Sequence, residues 1–174
     1  MKIRFLILLM VTLLSNPILA QTITPKQFLE LFSKANDEKA VELIDSQLES
    51  YSSKWKIIGG NNNKTTNYVK WYHPKYGLYD GDFYLLAEKT DRDKIINKVI
   101  YSFADKELFT TYLSSIKSIT GVKLVSSEKM ADGSTRLIYE SKGVAFFLGT
   151  HPTTINEYTS IGINTTYSIS MFYH

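Results

Sequence analysis

An amphipathic stripe occurs twice in this chain, and strand-like runs follow it each time. Val41, Ile44, Leu48 and Tyr51 are spaced to line one side of a helix, and Phe109, Tyr112, Ile116 and Ile119 repeat that spacing at a constant offset of 68. Lys56-Ile57-Ile58 and Lys123-Leu124-Val125, the segments after each stripe, keep the relation with a slip of one residue. Four strand-like runs follow each helix, at 54–59, 67–73, 82–88 and 94–103, then at 122–129, 134–140, 144–149 and 163–173. Two readings account for this: one α-β4 unit used twice, over about 37–103 and 105–174, or two amphipathic helices that coincide. Either way, each apolar stripe must be buried against another layer. The expected class is α+β, an antiparallel sheet with helices on one face.

Local signals support these elements. A further helix precedes the first unit. Thr24 can cap it, Pro25 suits the first helical position, Gln27 completes a capping box, and Phe28, Leu31, Phe32 and Ala35 supply its stripe. The second helix is expected from about Asp37. The third is expected from Asp105 and ends at Gly121, a residue suited to a left-handed cap. Strand alternation is clearest at the end of the chain. Tyr167, Ile169, Met171 and Tyr173 share one face, and Ser168, Ser170 and Phe172 share the other. Asp132-Gly133, Lys142-Gly143, Asp80-Gly81 and the polar run at 59–64 read as turns or loops between strands.

A helix followed by four strands, repeated from about Asp37 onward, resembles the beta-lactamase-inhibitor-like and PepSY-like modules of exported bacterial proteins. The resemblance rests on element order and carries over no functional residue. It implies a binding or inhibitory role outside the cytoplasm. The chain departs from the pattern in its extra N-terminal helix and in having no cysteine, whereas inhibitor members often carry disulfides.

The N-terminus has the composition of a cleavable export signal. Lys2 and Arg4 precede the apolar run Phe5–Leu14, Ser15-Asn16-Pro17 breaks it, and Ala20 offers a small residue before Gln21. A run of ten residues is shorter than the roughly 20 needed to span a bilayer, and no later segment is a candidate span. Residues 1–20 are therefore expected to be removed, leaving 21–174 as one soluble domain in a periplasm or outside the cell. The absence of cysteine excludes disulfides, thiol nucleophiles, thiolate metal sites and an N-terminal lipid anchor on cysteine. Without Lys2 and Arg4 the chain keeps 18 basic and 17 acidic side chains, a formal charge of about +1. That balance carries no electrostatic footprint for nucleic acid.

No catalytic signature is complete. Of the three histidines, His73 and His151 each precede proline and His174 is the last residue. His73 could meet Asp80 and Asp82 across a hairpin, but no zinc-ligand spacing is present, and no metal or cofactor is expected. The S-x-x-K matches Ser114–Lys117 and Ser126–Lys129 lack the companion elements of serine acyl-enzymes. The carboxylate pairs Asp80/Asp82 and Asp91/Asp93 lie in polar, turn-like stretches and read as solvated.

The stretch 71–84 is the most suggestive, with six aromatics among fourteen residues. Trp71, Tyr72, Tyr76 and Tyr79 are the candidate binding residues. Tyrosines in a Gly/Pro/Asp connection are hard to bury and offer rigid, amphipathic contact area. The competing reading is that these rings close the end of the core. The expected function is a non-enzymatic exported protein that binds a protein or cell-envelope component. The alternatives are an envelope hydrolase drawing on His73, His151, Glu157 and Asp80/Asp82, and a small-ligand or lipid carrier.

Overall fold

The computed structural model describes residues 22–62, 66–75, 78–89, 95–153 and 164–173. The expected cleavage site, Tyr76, Asp91, Asp93, Glu157 and His174 lie outside them.

Three helices are described: α1 (Pro25–Lys34), α2 (Ala40–Tyr51) and α3 (Lys106–Lys117). The capping box of α1 forms as its sequence implies. The Thr24 N–H donates to Gln27 Oε1 at 2.8 Å, and the Gln27 N–H donates to Thr24 Oγ1 at 3.3 Å. Asp105 caps α3, accepting from the N–H groups of Glu107 and Leu108 at 2.8 and 3.0 Å. Gly121, with φ +80°, follows in the left-handed region. The second helix begins later than Asp37. The Asp37 carboxylate is occupied by the Lys39 N–H at 2.8 Å, in a turn that precedes α2. Ala40, Ile44 and Leu48 are buried, whereas Val41 stays exposed on the flank.

Eight strands form one antiparallel sheet: β1 (Lys56–Asn62), β2 (Thr66–Lys75), β3 (Leu78–Lys89), β4 (Ile95–Phe103), β5 (Lys123–Lys129), β6 (Thr135–Ser141), β7 (Val144–Pro152) and β8 (Thr165–Tyr173). Their order is β1-β2-β3-β4-β8-β7-β6-β5. Each group of four is a meander, and the last strands of the two groups pair at the centre. Both outer strands carry a bulge near their start, at Ile58 in β1 and Val125 in β5, where the register shifts. Both bulged residues are more than half exposed, at 54% and 56%. A bulged, twisted outer strand is a poor template for pairing with another chain.

The register builds a continuous core row. Trp71, Phe83, Tyr101, Ile169, Leu148 and Leu137 are successive cross-strand partners from β2 to β6. The helices cover this face. Phe28 of α1 meets Phe83 and Tyr112 edge-on, with ring centroids 6.2 and 5.7 Å away. Phe32 stacks on Tyr173 at 4.6 Å, and Tyr112 of α3 stacks on Phe103 at 5.7 Å. Aromatic pairs at these distances add to the stabilisation from burial. The chain entering α1 is held from both sides. Tyr112 Oη donates to the Ile23 carbonyl at 2.7 Å, and the Ile23 N–H donates to Tyr101 Oη at 3.4 Å.

The α+β class is thus realised as an eight-stranded antiparallel sheet packed against helices. Three expectations are corrected. Asp80-Gly81 does not turn the chain but lies inside β3, where Gly81 pairs with His73 on one side and Phe103 on the other. Bonds to two neighbouring strands outweigh the local turn preference of Asp-Gly. His73, near the end of β2, does not meet Asp82 across a hairpin, because the two point to opposite faces of the sheet. His73 is buried in the core, 3.1 Å from Ser52 Oγ and with its ring 5.1 Å from that of Trp55. Asp82 is not solvated, being 8% exposed.

Candidate functional site

Side chains alternate across a pleated sheet, so every core row has a counterpart on the opposite face. No described element packs against that opposite face. Three of its cross-strand rows can be read from the register. One runs Tyr68, Leu86, Lys98, Phe172, Ala145, Glu140; the second Lys70, Tyr84, Ile100, Ser170, Phe147, Ile138; the third Tyr72, Asp82, Ser102, Ser168, Gly149, Arg136. Most of these residues are half-buried, with no second layer over them among the described residues.

On the β2–β3 side, Lys70 Nζ lies 2.8 Å from Asp82 Oδ2, and Tyr84 Oη donates to the same oxygen at 3.2 Å. The ammonium also sits 5.2 Å from the centre of the Tyr84 ring. Burial alone lowers the Lys70 pKa, but the hydrogen bonds and charges of Asp82 and Tyr84 outweigh it and hold the ammonium above its ordinary value. Burial also raises the Tyr84 phenol. Asp82 Oδ1 is buried and accepts no hydrogen bond among the described residues.

Nearer β7 and β8, Phe147 and Phe172 stack at 5.2 Å, and Lys98 Nζ lies 5.5 and 5.4 Å from their centres. Beside them is a groove of about 370 Å³ whose lining includes Lys98, Arg136, His151, Ser168 and Asp132. His151 Nε2 is 3.0 Å from Ser168 Oγ. Arg136 Nη2 donates to Glu128 Oε2 at 2.6 Å, and Ser126 donates to Oε1 of the same carboxylate at 2.8 Å. Together Ser126 and Arg136 lower the Glu128 pKa. The Asp132 carboxyl is lowered too, first by hydrogen bonds from Ser134 and then by the charge of His151.

The candidates from sequence separate. Trp71 points into the core, 0% exposed, with Nε1 donating to Asp45 of α2, so its ring is not a surface for a partner. Tyr72 is half-buried on the uncovered face. The backbone of Tyr79 lies in β3, paired with Pro74. His73 and Asp82 sit on opposite faces, because His73 pairs with Gly81 and Asp82 with Tyr72. His151 stands beside Ser168, not beside His73. Ser168, Gly149 and Lys98 were not singled out from sequence. The alternation that sets Ser168, Ser170 and Phe172 against the core residues of β8 was the signal that could have found part of this surface.

A small apolar cavity lies between α1, α3 and the sheet, lined by Phe28, Tyr112, Phe146 and Met171 among others. At about 60 Å³ it is far smaller than a lipid or drug-sized ligand requires. No described helix is long and apolar enough to cross a membrane. Compared with known proteins, the chain matches no family model, no curated protein and no solved structure.

Proposed function

We propose that this chain is an exported binding protein that engages a protein of the cell envelope or its surroundings through the uncovered face of its sheet. The observation that carries this reading is the unshared face itself: three rows of half-buried aromatic, aliphatic and charged side chains with no described layer over them. Eight strands about 4.8 Å apart, with about five residues each at about 3.3 Å, give a plane of roughly 34 by 17 Å. That is about 580 Å² in projection, smaller than the roughly 800 Å² of one side of a standard protein interface and in the range of a weaker contact. Tyr and Phe, set among a few paired charges, match the composition of interface cores. The positive start at Lys2 and Arg4, the apolar run at Phe5–Leu14 and the small Ala20 support export.

The test is capture from the host's envelope and medium fractions by immobilised 21–174, with bound species identified by mass spectrometry. A Tyr84→Ala/Phe147→Ala variant is run beside a Leu29→Ala control on the exposed flank of α1. A protein retained by the control and lost from the folded face variant supports the reading. A partner retained by the face variant moves the site elsewhere, and capture of glycan alone replaces the protein partner with a carbohydrate. N-terminal sequencing of exported protein beginning at Gln21 supports the processing step. An intact Met1 in that fraction overturns it.

A further inference from the structure

The pair His151–Ser168 has a geometry that binding alone does not use. Ser168 pairs with Gly149 across β8 and β7, and His151 lies two residues further along β7 on the same face. The imidazole folds back over Gly149 to bring Nε2 within 3.0 Å of Ser168 Oγ. A side chain at 149 would forbid this. A methyl there would stand 2.7 Å from His151 Nε2 and 2.8 Å from Ser168 Oγ. The glycine therefore clears the space in which the two groups meet.

The surroundings suit a nucleophile. The groove beside the pair holds about 370 Å³, with Lys98 and Arg136 as its lysine and arginine and with Ile100, Met130 and Phe147 as apolar lining. Asp132 lies across from His151, on a turn packed near the His151–Pro152 step. A methyl on Gly133, the next residue, would be 3.4 Å from Pro152 Cγ. Hydrogen bonds from Ser134 chiefly lower the Asp132 carboxyl, and the charge of His151 adds to them.

We propose that Ser168 is a nucleophile activated by His151, and that this groove accepts the acyl group of a carboxylic ester with a short apolar acyl chain. Ser168 Oγ bonds to the ester carbonyl carbon while His151 Nε2 takes the hydroxyl proton. The carbon–oxygen bond to the alcohol then breaks, and the alcohol leaves with the proton from His151. Water, deprotonated by the same imidazole, releases the acid and restores the serine. No oxidant or reductant is needed. Lys98 lines the same groove, and its ammonium is the cation available to a carbonyl oxygen that gains negative charge there, Arg136 being paired with Glu128.

The inference goes beyond the binding reading and does not rest on it. Folded 21–174 is treated with an aryl fluorophosphonate and, separately, with 4-nitrophenyl acetate, and the adducts are mapped by peptide mass spectrometry. The expected result is a single adduct on Ser168, absent in Ser168→Ala and slowed about 100-fold or more in His151→Gln, the range of general-base assistance. Gly149→Ala, which keeps both groups but pushes them apart, is expected to lose the adduct as well. Circular dichroism establishes that each variant is folded. An unlabelled Ser168, a label on Lys98 instead, or equal labelling rates in wild type and His151→Gln would each overturn the proposal. The partner-capture result is independent of all three.

Discussion

Trp71 Nε1 donates a hydrogen bond of 2.8 Å to Asp45 Oδ1 and so ties strand β2 to helix α2. The ring is fully buried, and its single polar atom finds the only kind of partner that removes the cost of burying it. Asp45→Ala leaves that N–H unpaired and is expected to lower unfolding free energy by about 1–3 kcal/mol. Asp45→Asn keeps an acceptor and should lose clearly less. Urea unfolding followed by tryptophan fluorescence measures both. Equal losses in the two variants would show that the hydrogen bond is not what Asp45 contributes.

Stability should fall in alkali, and Tyr112 should account for part of the fall. Burial pushes its phenol well above the ordinary value, with a further contribution from Tyr101. The folded chain therefore keeps the phenol proton at a pH where the unfolded chain gives it up. The contribution is fully present below the unfolded value of about 10 and is lost as pH rises from there toward the folded value. Tyr51, raised by burial and by its hydrogen bond to Glu30, acts in the same direction. Lys70 does too, since its raised ammonium gives stability that is lost as pH climbs through its folded value. Tyr112→Phe removes the bond to the Ile23 carbonyl and should cost about 1 kcal/mol at neutral pH. It should also make the decline above about pH 10 shallower than in wild type. Urea midpoints at neutral and alkaline pH check this, and parallel curves would exclude Tyr112 as a source.

Two adjacent glycines should respond in opposite ways to alanine. A methyl at Gly59 meets nothing within 4 Å, whereas one at Gly60 would lie 2.8 Å from the Tyr68 carbonyl oxygen in the neighbouring strand. Neither has a left-handed φ, so conformational strain does not enter. Gly59→Ala is expected to be neutral or stabilising by up to about 1 kcal/mol, through loss of unfolded-state freedom. Gly60→Ala must displace backbone and should destabilise by about 1–3 kcal/mol. Thermal midpoints measured side by side decide the matter, and similar values for the two would contradict the close approach.

Much of the architecture was legible because it depends on interactions only a few residues long. Thr24 and Gln27 cap a helix three residues apart, Asp105 accepts from the next turn, and Gly121 ends the segment after α3. The alternation in β8 assigns Ile169 and Met171 to the core and Ser168 to the other face through the two-residue pleat alone. The sequence by itself therefore determined the three helices, the strand-rich halves and the α+β class. Only the tertiary structure decided which turn-like residues became strand. It put Asp80-Gly81 inside β3, where ladders on both sides override a local preference, and it buried Asp82 opposite Tyr72 with Lys70 reaching it diagonally from β2. It likewise took Trp71 from candidate contact to core tether and brought His151 to Ser168, 17 residues away, through the pairing of Gly149 with Ser168. Register is a long-range quantity, set by which strands meet and where their bulges fall, and no window along the chain contains it.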